Sequence, residues 1–207
     1  MPYRVVREFE EAIAEYAGSR YAVAVESCSA AIFLCCVYRQ VKEVEIPART
    51  YPSVPCAIIH AGGSVRFHTL SWVGVYQLFP WEIWDGALRF RPGMYKGGLL
   101  CLSFHSRKHL KIGRGGMILT DDPEADRWLR LARFDGREEC DLSQQKEFSI
   151  LGFNAYMQPE QAARGLLLFA SLKHLDLPDL PFEDQHYPDL SKSEVYKGAS
   201  VAVCAET

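Results

Sequence analysis

The chain has 207 residues, 48% of them hydrophobic and 24% charged, with a formal net charge of -3. That length and apolar content can bury one substantial core, as one domain or one domain with a small appendage. The charge balance excludes an electrostatic case for nucleic acid or an anionic membrane surface, and no apolar run is long enough to span a bilayer, so a soluble protein is expected.

The opening from Met1 to Glu8 lacks the apolar core and small-residue cleavage site of a secretory signal, which predicts a cytoplasmic location. Seven cysteines, an odd and scattered set with several inside apolar runs, read as buried thiols in a reducing compartment. There is no Cys-x-x-Cys, and the histidines at a ligand-like spacing, His105 and His109, have no cysteine or carboxylate beside them. No metal site is expected.

From Val5 to Tyr16 the residues Val5, Phe9, Ile13 and Tyr16 recur at helical spacing, which predicts an amphipathic helix ended by Gly18. Tyr21 to Val25 reads as a short buried strand, and after Glu26-Ser-Cys-Ser29 the run from Ala30 to Val37 reads as a helix. Val44 to Ile46 predicts a strand closed by Pro47, Tyr51 to Ala61 a short helix opened by Pro52, and Ser64 to Phe67 another strand. Trp81 to Trp84, Leu99 to Ser103 and Gly116 to Thr120 are further strands, and Pro123 to Phe134 is a helix with Asp121, Asp122 and Glu124 near its positive end. About six strands with helices between them predict an α/β fold with a mainly parallel sheet. A polar loop follows Phe134, then one long helix from Gln158 to Leu175. The tail beyond Asp176, rich in proline, aspartate and histidine, builds little core and is expected to wrap the surface or dock on a partner.

One stretch carries unusual chemistry. Ser103-Phe-His-Ser-Arg-Lys108-His-Leu-Lys-Ile-Gly113-Arg-Gly115-Gly116 sets a lysine between a serine-bearing strand end and a glycine turn into the next strand. Burial and the neighbouring Arg107 and Lys111 favour a neutral, nucleophilic amine, suited to a Schiff base with an aldehyde cofactor, although a lone lysine on a basic turn is most often a solvated charge. Ser27-Cys28-Ser29-Ala30 follows a strand and opens a helix, so free N–H groups would face an anion, or Ser27 is simply a helix cap. Tyr51 and Asp85 stand at strand ends, where an aromatic is ordinarily core and an aspartate ordinarily caps a turn; Asn154 reads as a turn residue.

Taken in chain order, these segments resemble the motifs of the DegT/DnrJ/EryC1/StrS family of pyridoxal 5'-phosphate (PLP) sugar aminotransferases. Ala22-Val-Ala-Val-Glu-Ser-Cys-Ser-Ala-Ala is similar to the family's phosphate loop, with Cys28 for glycine and Ser29 for threonine. Ile46-Pro-Ala-Arg-Thr-Tyr51, Asp85-Gly-Ala87, Ser103 to Lys108, and Leu151-Gly-Phe-Asn154-Ala-Tyr156-Met157 are similar to its later motifs. The resemblance implies a fold-type-I, three-layer PLP-transferase large domain over residues 1–175, shortened between about 70 and 81. The remainder, 176–207, would be the vestige of a small C-terminal domain that is largely missing.

On the same resemblance Lys108 is the Schiff-base lysine and acid-base group, and Asp85 pairs with the ring nitrogen. Tyr51 covers the ring, while Ser27, Cys28, Ser29, Ala30 and Ser103 hold the phosphate. Asn154 reaches the phosphate of a partner's site, which implies a homodimer. Leu88 stands where the family has Gln or His against the cofactor's phenolic oxygen, and Tyr156 where it has arginine. The implied reaction transfers an amino group from an amino acid, glutamate foremost, to a keto group of a nucleotide-linked sugar. The alternatives are another PLP reaction on such sugars, against which retention of Lys108 argues, and a reduced, non-catalytic homologue that dimerises or binds nucleotide sugar.

Overall fold

The computed structural model describes residues 3–197; the end of the expected tail, with Cys204, lies outside them. Helix α1 (Arg4–Ala17) buries Val6, Phe9, Ile13 and Ala17 on one stripe and stops where Gly18 takes a left-handed φ of 83°, a conformation that L side chains resist. There follow β1 (Tyr21–Val25), α2 (Cys28–Arg39), β2 (Glu43–Pro47), α3 (Ser53–His60), β3 (Ser64–His68), β4 (Tyr76–Gln77), β5 (Ile83–Asp85), β6 (Leu99–Ser103), β7 (Gly116–Thr120), α4 (Pro123–Ala132) and α5 (Pro159–Leu172).

Five strands form a sheet in the order β1-β7-β6-β5-β4, and β2 and β3 pair separately in parallel. Backbone hydrogen bonds of 2.8 and 3.1 Å between Glu45 and Phe79 tie the pair to the segment after β4. Within the larger sheet only β5 and β6 run parallel; β1 with β7, β6 with β7 and β4 with β5 are antiparallel. The expectation of a mainly parallel sheet is therefore corrected to a mixed, mostly antiparallel one. The physical reason is the connections: no α-helix lies between β3 and β7, β5 turns back on β4 and β7 on β6 without a crossover, and only the longer link 86–98 returns a strand parallel to its neighbour.

Alternate residues of the central strands point to opposite faces, and both faces are buried. Val23, Cys101 and Ile118 join one core with Leu34 of α2 and Leu129 of α4, while Ala24, Leu102 and Met117 join another with Phe9 of α1 and Phe169 of α5. Helices thus cover the sheet on both sides, as a three-layer arrangement requires. Among the described residues no helix is long and apolar enough to cross a membrane.

A buried ion network pins α1, β1 and α4 together. Glu10 accepts from Arg133 and, at 2.7 Å each, from Arg130 and the Ala24 N–H; Arg133 also donates to Glu139 at 2.7 Å. Burial works to raise the Glu10 carboxyl, but the two guanidiniums outweigh it and hold it below the usual carboxylate range.

The tail winds over the domain, as the first of the two expectations had it. Arg89 grips Asp179 through two bonds of 2.8 and 2.6 Å, the Leu180 N–H donates to Leu88 O at 2.8 Å, and the Leu190 N–H donates to Ala48 O at 2.8 Å. Tyr187 and Leu190 are buried there.

Gly116, which opens β7, touches the backbone of the turn before α2: a Cβ there would overlap the Ser27 carbonyl group and the Cys28 nitrogen. Backbone cannot step aside as a side chain can. Gly116→Val is expected to destabilise the fold by about 3 kcal/mol, the upper part of the range for overpacking, read as a lower urea midpoint at unchanged slope.

Candidate active site

A cavity of about 1190 Å³ opens where the first turn of α2, the end of β5 and the loop after β6 converge. Strand ends at the edge of a layered α/β sheet are where such clefts form, because the strands stop while the flanking helices and loops continue.

The loop from Phe104 to Gly115 is anchored by Phe104, Leu110 and Ile112, all in the core, and Lys108 stands on the cavity side with 9% of its surface exposed. Its Nζ makes only long contacts, 3.4 Å to Gln185 Oε1 and 3.5 Å to Tyr187 Oη. Burial lowers the Lys108 pKa, Asp85 and Cys28 oppose that, and Arg107 adds to it; desolvation rather than the adjacent cations is the main cause.

Asp85 closes β5 on the same cavity and is 3% exposed. Its Oδ2 accepts from Tyr76 Oη at 2.9 Å and its Oδ1 from the Ala87 N–H at 2.9 Å, while Thr50 Oγ1 holds the Tyr76 hydroxyl at 2.6 Å. Burial raises its pKa, against the two hydrogen bonds and the charge of Lys108. Among the described residues no cation lies at salt-bridge distance from Asp85, so a buried carboxylate faces the cavity without a counter-ion.

Ser27 is the N-cap of α2, its hydroxyl accepting from the Ala30 N–H at 3.1 Å. The Ala30 N–H is thus engaged by the cap, while Ala30 itself lines the cavity. The first helical backbone bond comes from Ala31 to Ser27 O, which leaves the N–H groups of Cys28 and Ser29 for an anion at the positive helix end. Ser29 Oγ meets Ser53 Oγ at 2.5 Å, joining the first turns of α2 and α3. Ser103 and the exposed Tyr51 and Asn154 also line the cavity. Tyr51 is 57% exposed, which sets aside its reading as an ordinary core aromatic.

Leu88 is a further correction. It is fully buried in the core and lies off the cavity, because the chain turns at Gly86 and carries the third residue after Asp85 inward. The usual arginine's place is filled by Tyr156, which packs edge-on against Tyr3 and Phe134 at 5.8 and 4.8 Å.

Sequence reasoning missed Thr50, Tyr76, Gln185 and Tyr187. Tyr76 was detectable, since Tyr76 and Leu78 are buried at alternate positions in Val75-Tyr-Gln-Leu78, a strand pattern too short to stand out. Tyr187 gave only the signal of an aromatic in a proline-rich tail.

A polarised lysine, an uncompensated buried carboxylate and a free helix N-terminus around one cavity suit a flat ligand bearing an aldehyde, a protonatable ring nitrogen and a phosphate. The fold is that of the fold-type-I aminotransferases. The sequence matches the DegT/DnrJ/EryC1/StrS aminotransferase family over residues 1–70 and 94–177, and the chain belongs to that family of PLP-dependent sugar aminotransferases. It is similar to the spore coat polysaccharide biosynthesis protein SpsC of Bacillus subtilis, 27% identical over 83% of this chain and 57% of that one. It is also similar to the GDP-perosamine synthase of Caulobacter vibrioides, 25% identical over 84% of this chain and 57% of the relative. Among solved structures, DesV of S. venezuelae superposes with a TM-score of 0.69 at 20% identity, covering 81% of this chain and 57% of DesV.

The chain therefore spans just over half the length of the curated relatives it matches. The alignment with SpsC runs over 224 positions, more than the 207 residues of this chain, so the relative carries extra sequence inside the matched stretch. The unmatched stretch, 71–93, contains Trp72, Tyr76 and Asp85.

Proposed function

We propose that the protein is a PLP-dependent aminotransferase that moves an amino group from an amino acid, glutamate foremost, to a keto group on a nucleotide-linked sugar. One observation carries this reading: Lys108 and Asp85, the first on a loop and the second at a strand end, are both buried on the wall of one cavity. PLP, when bound, supplies an aldehyde and an electron-withdrawing ring that eases loss of a proton from an adjacent carbon.

Lys108 Nζ holds the cofactor and carries a proton as base and then acid, tasks suited to an amine whose pKa is lowered by burial. Asp85 keeps a proton on the ring nitrogen; its missing counter-ion is then provided. The N–H groups of Cys28 and Ser29, with the hydroxyls of Ser27, Ser29 and Ser103, bind the phosphate, and Tyr51 covers one face of the ring. Leu88 has no part, and Ala30 contributes to the cavity wall beside the phosphate loop. The functional unit is a homodimer, with Asn154 on the exposed edge of the cavity as the residue within reach of a second copy.

Purified protein given PLP is expected to turn yellow, to lose its visible band on borohydride reduction, and to yield a phosphopyridoxyl adduct on the tryptic fragment containing Lys108. An adduct confined to other lysines, or no uptake, overturns the proposal. The sequence that SpsC carries inside the matched stretch and this chain lacks favours a second reading, a non-catalytic homologue that dimerises or binds nucleotide sugar, and a colourless wild type would select it.

A further inference from the structure

Two parts of the chain outside the family match, 71–93 and the residues beyond 177, pack on each other. Beyond the Arg89–Asp179 pair and the Leu180 to Leu88 bond, the Trp72 ring lies parallel to Tyr187, with 6.3 Å between centroids and 14° between planes, and meets Phe182 edge-on at 5.3 Å. Trp72 is itself fixed by its indole N–H, which donates to Arg49 O at 3.0 Å, and Arg49 reaches back to Tyr187 O at 3.3 Å. Tyr187 is thereby held from both sides, and its hydroxyl comes to Lys108 Nζ at 3.5 Å beside Gln185 Oε1 at 3.4 Å. Among the described residues these two tail groups are the only hydrogen-bond partners of that amine.

We propose that Tyr187, assisted by Gln185, is a positioning residue for Lys108: the tail lays a phenol hydroxyl and an amide oxygen against the amine and sets both its direction and its readiness to give up a proton. The catalytic meaning of this rests on the aminotransferase reading above; the contact does not.

The groups facing Lys108 are Asp85 from β5, Cys28 from α2, Arg107 and His109 from its own loop, and Tyr187 from the tail. Desolvation pushes the half-buried Cys28 thiol and the buried Tyr187 phenol up, so both stay protonated at neutral pH. A neutral hydroxyl accepts more strongly from an ammonium than it exchanges with a neutral amine, so Tyr187 and Gln185 favour the charged form and restrain the amine. Tyr187→Phe keeps the ring on Trp72 and removes only that restraint.

The test is reductive methylation of each lysine, followed by mass spectrometry across pH in full-length protein stripped of cofactor. In Tyr187→Phe, Lys108 is expected to label about threefold faster at neutral pH, half a pKa unit, with its rate curve moved to lower pH and the other lysines unchanged. Gln185→Ala should move the curve the same way, and near-UV circular dichroism should match wild type in both. Superimposable Lys108 curves in wild type and both variants overturn the inference, and do so without touching the aminotransferase reading if the phosphopyridoxyl adduct forms. A shifted curve in a protein that takes up no PLP upholds the contact and sinks the aminotransferase reading alone.

Discussion

Lys108→Ala is expected to form no phosphopyridoxyl adduct and to lower amino transfer by at least about 10⁴-fold, the upper end of what one acid-base group supplies, with the loss of the covalent anchor added. The substitution removes the atom that both holds and protonates, so it lowers kcat rather than raising KM alone. Folding should survive: the loop is anchored by Phe104, Leu110 and Ile112, and the Nζ gives up two long contacts and a desolvation penalty together. The measurement is glutamate-dependent amination of a nucleotide-linked keto sugar, with borohydride mass spectrometry of the same sample. Retained activity, or an adduct formed equally well elsewhere, would show that another amine does the chemistry.

The second large effect lies far from the cavity. Glu10→Ala is expected to cost about 3 kcal/mol, the low end for breaking a buried ion pair, because Arg133 loses one of its two carboxylates while keeping Glu139, and the Ala24 N–H loses its acceptor. Arg133 has little slack, for its Nε is already buried without a partner. The pH dependence has a definite sign. With the folded Glu10 pKa depressed below its unfolded value, the network stabilises the protein above the ordinary carboxylate range and loses that contribution as pH falls through the folded value. Urea unfolding at pH 7 and near pH 4 should therefore show a large gap between wild type and variant that narrows in acid. An equal gap at both values would mean the loss is packing alone.

Asp85 has the opposite sign. Its folded pKa is raised by burial, so the apo fold is better off with this carboxyl protonated and loses that preference as pH rises through the folded value. The two buried carboxyl groups differ in their partners: Glu10 faces two guanidiniums, whereas Asp85 has a phenol and a backbone N–H.

The strands Tyr21–Val25, Leu99–Ser103 and Gly116–Thr120 are legible residue for residue, because each is a short apolar run bounded by turn chemistry. β4 is not: two residues make no run. Strand direction is not written in a strand's own residues at all but in the link between strands, and the rule that strands alternate with helices fails from β3 to β7, where five strands follow one another with no α-helix between them. The gathering of Lys108, Asp85, Ser27, Ser29, Ser103, Tyr51 and Asn154 on one cavity is foreshadowed by the order of their motifs. Tyr76, Gln185 and Tyr187 belong to no such motif; they arrive by tertiary packing between two segments outside the family match, of which only the Asp85 turn resembles a family motif. Cysteines tell the same story more simply, since the six described ones are unpaired and half of them are buried, as their apolar settings imply.

β1 finds its ladder partner in β7, about a hundred residues further along, with Tyr21 opposite Thr120. Contact order is accordingly high for this part of the molecule, and loop-closure entropy must be met before any bond of that ladder forms. On the ribosome the first strand emerges with nothing to pair with until the glycine turn after Lys108 has been made. The loop that carries Lys108 therefore lies within the stretch of chain that this ladder closes.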